Sequence, residues 1–379
     1  MQKVLGTLLA VALVAGACGG DSGDGGPDPS EEPKEALIEA FEDLGEGDGV
    51  SMRFSLASDE ESLQAALAEE GDVPEDLAST ILDSSITFAG GAGDDPEEAK
   101  AEVIFELDGE EAAAIVVDGY DIYAHADIPY MMETFGEDPA ALDDALSEVP
   151  PGFDFVDEAI DNQWIHLTGL EQLAQQAEAS GQSAGVPNVS EQQKEIVDKL
   201  GQSLDQNATV SEGDEDGPGT HLEARLDMRA FAQDFQELSS QLAQIPGGGG
   251  LDQMPSSGED IPEGDFILDA WVDDGRLTQV ELDFIKNAET LGEGEDLPEG
   301  VEELGLLIEL EEFDGDVDVP DDAVEVSFEQ IFTALLGSAG MAGTGSEGAA
   351  PGGTEDICKE IEALPPEQQE PFKDICPGI

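Results

Sequence analysis

Polar and apolar residues alternate along Val50–Ala57, with Met52, Phe54 and Leu56 on one side and Ser51, Arg53 and Ser55 on the other, the period of a half-buried β-strand. Before it, Ala36, Leu37, Ala40, Phe41 and Leu44 recur at helical spacing until Gly45 and Gly47 end the run. Residues 59–82 read as two short helices split near Pro74. A meander follows: Val103, Phe105 and Leu107 open a strand, Ala113–Val117 form a second and Tyr120–His125 a third. Asp108-Gly109 and Asp118-Gly119 stand between them, and Asp-Gly supplies the positive φ angles of two-residue hairpin turns. Asp127 is placed to cap a helix through Tyr130, Met131 and Phe135. Further on, Gln163–Leu167 reads as a strand, Leu170–Ala177 and Glu191–Leu204 as helices, and Thr209-Val210 with His221–Leu226 as a hairpin. Met228–Ile245 is an amphipathic helix with Phe231, Phe235, Leu238 and Leu242 on one face. The sharpest alternation is Phe266, Leu268, Ala270 and Val272, returning after Asp274-Gly275 through Val280, Leu282 and Phe284. Leu306, Ile308 and Leu310 add a strand, and Phe328–Leu336 is a closing helix. The pattern predicts an α+β body over residues 36–336, long enough for a sizeable core, in two halves of similar style that leave a weak internal duplication open.

The two ends of the chain differ from this body. Residues 4–17 are apolar behind Lys3 and would extend about 20 Å as a helix, short of a bilayer core of about 30 Å. Ala15, Gly16 and Ala17 suit a signal-peptidase pocket, so residues 1–17 read as an export signal. With Cys18 at the cleavage point the stretch resembles a bacterial lipobox, although Ala15 stands where such motifs usually carry Leu. That resemblance implies acylation (palmitate included) of Cys18, with two chains giving stable anchoring to the extracytoplasmic face of the cell membrane. Residues 18–35 are then a Gly/Asp/Pro tether with a reach of roughly 20 Å. At the other end, residues 337–354 are a Gly/Ala/Ser linker, and residues 355–379 hold Cys358 and Cys376 around Leu364-Pro365-Pro366. An even pair in an exported chain is a disulfide by default, contributing about 3 kcal/mol in the chain-entropy picture. A zinc site would need two further ligands nearby.

The charge balance is extreme: 91 acidic against 12 basic residues, a net charge of −79, in a chain that is 39% hydrophobic. The carboxylates interleave with patterned apolar segments, which describes a folded protein with an acidic surface and not a disordered acidic tail. Adaptation to high salt, where cations screen the repulsion, and a cation-binding surface both account for it; the even spread favours the first. No basic patch is present to neutralise phosphates, so nucleic acid is excluded as a partner.

Catalytic motifs fail on context. Gly181-Gln182-Ser183-Ala184-Gly185 has the nucleophile-elbow spelling but no preceding strand. Gly343-Thr344-Gly345-Ser346-Glu347-Gly348 spells a dinucleotide loop inside low-complexity sequence. Asp314, Asp316, Asp318, Asp322 and Glu325 have calcium-loop spacing, but Val319 stands where that loop needs Gly, leaving at most weak binding of a divalent cation. His125, His166 and His221 are scattered among strands and read as half-buried strand residues. No enzyme, no cofactor and no metal centre is expected.

Residues 266–277 with Val280-Glu281-Leu282, the ending Leu310–Pro320 and the close Val317–Ala323 resemble the C-terminal half of actinobacterial lipoproteins of the LppX/LprG type, which share the half-barrel of the carrier LolA. Tyr123–Pro129 is similar to a strand-to-helix step in related envelope lipoproteins. The resemblance implies a curved antiparallel sheet whose concave face, covered by helices, holds acyl chains. Here that face would include Phe105, Ile115, Leu268, Val280, Leu282 and Ile308, each of which equally suits an ordinary core. The expected function is a non-enzymatic, lipid-anchored envelope protein that binds or carries a hydrophobic ligand. The alternative is a structural or interaction lipoprotein with a filled core.

Overall fold

A computed structural model describes residues 27–44, 49–68, 77–91, 97–142, 155–160, 162–171, 201–214, 217–230, 264–292, 297–298, 300–328 and 331. The expected signal and most of the expected tether, Cys18, Cys358 and Cys376, most of the helices expected over 170–177, 191–204 and 228–245, the expected closing helix beyond 331, and the expected linker and tail lie outside the described residues.

The class is α+β. Among the described residues twelve strands form one open sheet: β1 Val50–Ser58, β2 Ser85–Gly91, β3 Lys100–Leu107, β4 Glu110–Asp118, β5 Asp121–Ala126, β6 Ile165–Thr168, β7 Ala208–Glu212, β8 Thr220–Asp227, β9 Asp265–Asp273, β10 Arg276–Asp283, β11 Leu304–Glu312 and β12 Val324–Ser327. Their spatial order is β12-β6-β5-β4-β3-β2-β1-β11-β10-β9-β8-β7. Two meanders, β1 to β6 and β7 to β11, therefore join edge to edge where β1 pairs with β11. The helices are α1 Pro33–Leu44, α2 Glu60–Ala68, α3 Leu77–Leu82, α4 Ile128–Thr134, α5 Phe155–Ile160 and α6 Phe284–Thr290, and residues 201–207 are also helical.

Local chemistry accounts for the connections. Asp108 and Gly109 both take positive φ (54° and 72°), as do Asp274 and Gly275 (50° and 80°), which closes the β3–β4 and β9–β10 hairpins with the twist that paired strands need. At the β4–β5 turn the strands pair through Asp118 and Asp121, and Gly119 alone takes the positive φ (63°). Asp127 caps α4 by accepting from the Tyr130 backbone N–H, as its spacing predicts.

One expectation is corrected. The sheet is mixed, because β12 runs parallel to β6 while every other pair is antiparallel. The last strand does not follow its predecessor by a hairpin: residues 313–323 leave the middle of the sheet and deliver β12 to its far edge. Seven strand spacings separate β11 from β12, about 34 Å. The run can reach about 36–40 Å, so it is just long enough. It is tied down at its start, where the Phe313 N–H donates to the Gly49 carbonyl, and at its end, where the Val324 N–H donates to the Trp164 carbonyl.

The register puts one apolar face across both meanders. Leu310, Met52, Phe88 and Val103 are successive cross-strand partners, and the row continues through Ile115, Ala124 and Ile165 to Val324. Its cover is uneven. Over β7, β9 and β10 lies α1, whose Leu37 and Ala40 are fully buried, and there Leu222, Ala224 and Ala270 are fully buried too. Over β2 and β4 the same face leaves Ile86 38% and Ile115 46% exposed. The core is thus concentrated in the C-terminal meander, and the N-terminal meander keeps an apolar surface open to solvent.

Candidate functional site: an apolar cavity on the N-terminal meander

The open part of this face forms a cavity of about 490 Å³. Its floor comes from Met52, Phe54 and Leu56 of β1, Ile86 and Phe88 of β2, and Val103 and Phe105 of β3. Leu306 of β11 borders it on the core side and Ile81 of α3 on another. Phe54 and Phe88 meet edge to face, centroids 5.6 Å apart and planes at 86°. This is the diagonal arrangement that neighbouring strands permit, since Phe54 pairs directly with Ile86 and Phe88 with Met52.

The hydroxyls of Ser84 and Ser85 at the border are already engaged. Ser85 Oγ accepts from Arg53 Nε at 3.1 Å and donates to Glu106 Oε2 at 2.6 Å. Ser84 Oγ donates to the Thr80 carbonyl at 2.5 Å and accepts from the Asp108 N–H at 3.3 Å. Arg53 also holds Glu106 Oε2 at 3.0 Å. Glu102 is the one ionisable residue among the described residues of the lining. Burial, and then the charges of Glu111 and Asp318, push its carboxyl above the usual range.

The six positions that the family resemblance singles out share this face but divide in their surroundings. Phe105 lines the cavity, and Ile115 continues the face one strand beyond, paired with Val103. Val280 and Leu282 are buried in the core, and Leu268 and Ile308 pack against it. Val280 pairs with Ile308 and Ile308 with Phe54, so the cavity and the core are consecutive stretches of one surface. The strand β2, which supplies Ile86 and Phe88, escaped the sequence reading. Its alternating run is only Ser85-Ile86-Thr87-Phe88 before Ala89-Gly90-Gly91 hides the period.

The histidines occupy the opposite face, each between a carboxylate and an aromatic ring. His125 Nε2 is 2.6 Å from Glu111 Oε1 and its ring lies against Trp164. His166 Nε2 is 2.8 Å from Asp121 Oδ1 and stacks on Tyr123. His221 Nε2 is 2.9 Å from Asp269 Oδ1 and stacks on Trp271. Next to His221 runs a row of directly opposed carboxylates, Glu223, Asp269 and Glu281 on β8, β9 and β10. Lys286 of α6 bridges the first two, at 2.8 Å from Glu223 and 3.1 Å from Asp269. Its hydrogen bond leads the influences holding the Glu223 carboxyl below its usual range. Glu281 is pushed up by burial and then by Asp269, Asp283 and Glu303.

Among the described residues no group of three or more His, Cys, Asp or Glu side chains is arranged to hold a metal ion, the run Asp314–Glu325 included. The elbow-like and dinucleotide-like strings lie outside the described residues. Also among the described residues, no helix is long and apolar enough to cross a membrane. Compared with known protein families, characterised proteins and solved structures, the chain matches none.

Proposed function

We propose that this protein is a lipid-anchored envelope lipoprotein that holds a hydrophobic, lipid-like ligand in the cavity on its N-terminal meander, on a half-barrel of the LolA/LppX kind. The observation that carries the reading is the unevenly covered apolar face: a surface that α1 seals in one half opens in the other into a space of about 490 Å³ between three phenylalanines and α3. Small-molecule sites typically enclose roughly 300–1,000 Å³ behind mostly apolar walls. Each methylene moved there from water contributes about 0.8 kcal/mol. Soluble proteins seldom leave large side chains such as Ile86 and Ile115 together on an open face without a use for them.

The lipobox at Cys18 and the tether support attachment at the extracytoplasmic face, within reach of ligands in the membrane surface. The ligand is held without chemistry, in keeping with histidines and carboxylates engaged with one another on the opposite face. The filled-core alternative draws support from Val280 and Leu282, which are buried in the core and not in the cavity.

Native mass spectrometry of the exported chain carrying Cys18→Ser, purified in high salt, decides between them. A retained lipid of defined mass is the expected result. A bare protein that stays bare after incubation with envelope lipids leaves the scaffold reading standing.

A further inference from the structure

The lining of the cavity says something about the head of the ligand as well as its tail. None of the described residues around it is a lysine, arginine or histidine. Arg53, which meets the lining through Ser85, is spent on Glu106 and Ser85. The hydroxyls of Ser84 and Ser85 have both donated their protons, to Thr80 and Glu106. The backbone N–H groups in the paired stretches of β1, β2, β3 and β11 are committed to the ladders. A carboxylate or phosphate entering this space would find no counter-charge among the described residues and, beyond the engaged hydroxyls of Ser84 and Ser85, only the single hydroxyl of Ser55, too little to offset the cost of taking an anion out of water.

We propose that the cavity selects uncharged amphiphiles, such as long-chain alcohols or other lipids with a non-ionic head, and rejects the same chains carrying an anionic head. The inference rests on the carrier reading and adds to it a ligand class. It also separates two sources of discrimination. The net charge of −79 repels any anion from a distance, but that repulsion is screened within about 3 Å in molar salt. Rejection by a lining without a cationic side chain survives the salt.

The test displaces an uncharged phenylnaphthylamine dye from the full mature chain with Cys18→Ser, using dodecanol or dodecanoate at alkaline pH, in low salt and in molar KCl. Dodecanol is expected to displace the dye at least about tenfold more effectively than dodecanoate, in molar KCl as well as in low salt. A second variant reads the cause directly. Ile86 lies in the cavity floor and is 38% exposed, so Ile86→Lys can lay its stem along the floor and bring an ammonium to the cavity. It is expected to shift the preference toward dodecanoate, lowering the ratio of dodecanol to dodecanoate displacement by about tenfold. Equal displacement by the two amphiphiles in molar KCl overturns the inference and leaves the carrier reading intact. Failure of both the dye and dodecanol to bind removes the carrier reading, and the inference with it.

Discussion

Phe54 meets Phe88 edge to face across the β1–β2 ladder, with centroids 5.6 Å apart, and the pair forms the centre of the cavity floor. Both rings are only half-buried, so they line a surface and do not fill a core. Phe88→Ala is expected to cost about 1–3 kcal/mol in urea unfolding, below the roughly 3–5 kcal/mol of a fully buried phenylalanine. The same change should weaken binding of an apolar dye by about tenfold or more, since it removes an aromatic wall. Unchanged dye affinity with lost stability would place Phe88 in the framework and not in the site.

Leu282 and Ile115 provide the complementary contrast. They lie on the same face of the sheet, but Leu282 is 3% exposed in the core and Ile115 is 46% exposed. Leu282→Ala should lose about 2–5 kcal/mol of stability. Ile115→Ser should change it by no more than about 0.5 kcal/mol. Thermal melts of the two variants side by side check this, and a large loss for Ile115→Ser would mean that this part of the face is covered in solution.

That contrast shows where sequence reading stopped. Alternation placed Phe105 and Leu282 correctly on strands, and the Asp-Gly pairs at 108–109 and 274–275 marked the hairpins because only a few residues accept their φ angles. The same alternation could not separate cavity from core. Phe105 and Leu282 both follow an apolar residue two positions back, Val103 and Val280, and what distinguishes them is α1, which the register of distant strands brings over one and not the other. The parallel β12 was illegible for a related reason. Nothing local to Val324–Ser327 says that the run 313–323 crosses six strands before pairing. Ile86 and Phe88 were missed because two apolar positions before a glycine pair make too short a period.

On the far face, Lys286 is the ion-pair partner that Glu223 and Asp269 share. Like charges set directly opposite on neighbouring strands destabilise a sheet, and this ammonium offsets that repulsion. Lys286→Gln is expected to cost about 1–2 kcal/mol in low salt, discounted for the partial exposure of the ammonium. Much of that loss should vanish in molar KCl, where solvent cations take over the screening. A loss of the same size at both ionic strengths would show that packing of the lysine stem, and not its charge, holds α6 in place.

Gly217 is held to this face by shape. Gly217 has a φ of +118°, and a Cβ there would come within 2.2 Å of Trp271 Nε1. Gly217→Ala therefore cannot be accommodated without moving the indole or the loop. A red shift of tryptophan emission with a drop in melting temperature is expected. A variant with parental fluorescence and stability would mean that the loop relaxes freely.

Glu102 gives the pH dependence a defined sign. Burial, followed by Glu111 and Asp318, raises its carboxyl above the ordinary 4.5, so the folded chain keeps this proton to higher pH than the unfolded chain does. Below the unfolded value both states are protonated and the group adds no penalty. As pH climbs past it, the unfolded state ionises first, and the folded state loses stability until its own carboxyl has titrated. Glu102→Gln removes that loss. Its unfolding free energy should match the parent in acid below 4.5 and exceed it at neutral pH, with the gap opening just above that value. The comparison between variants cancels the other carboxylates, of which Glu281 shifts in the same direction and Glu223 in the opposite one. A Gln variant less stable than the parent at neutral pH would reverse the assignment, because the ionised Glu102 would then be holding a cation that offsets its burial.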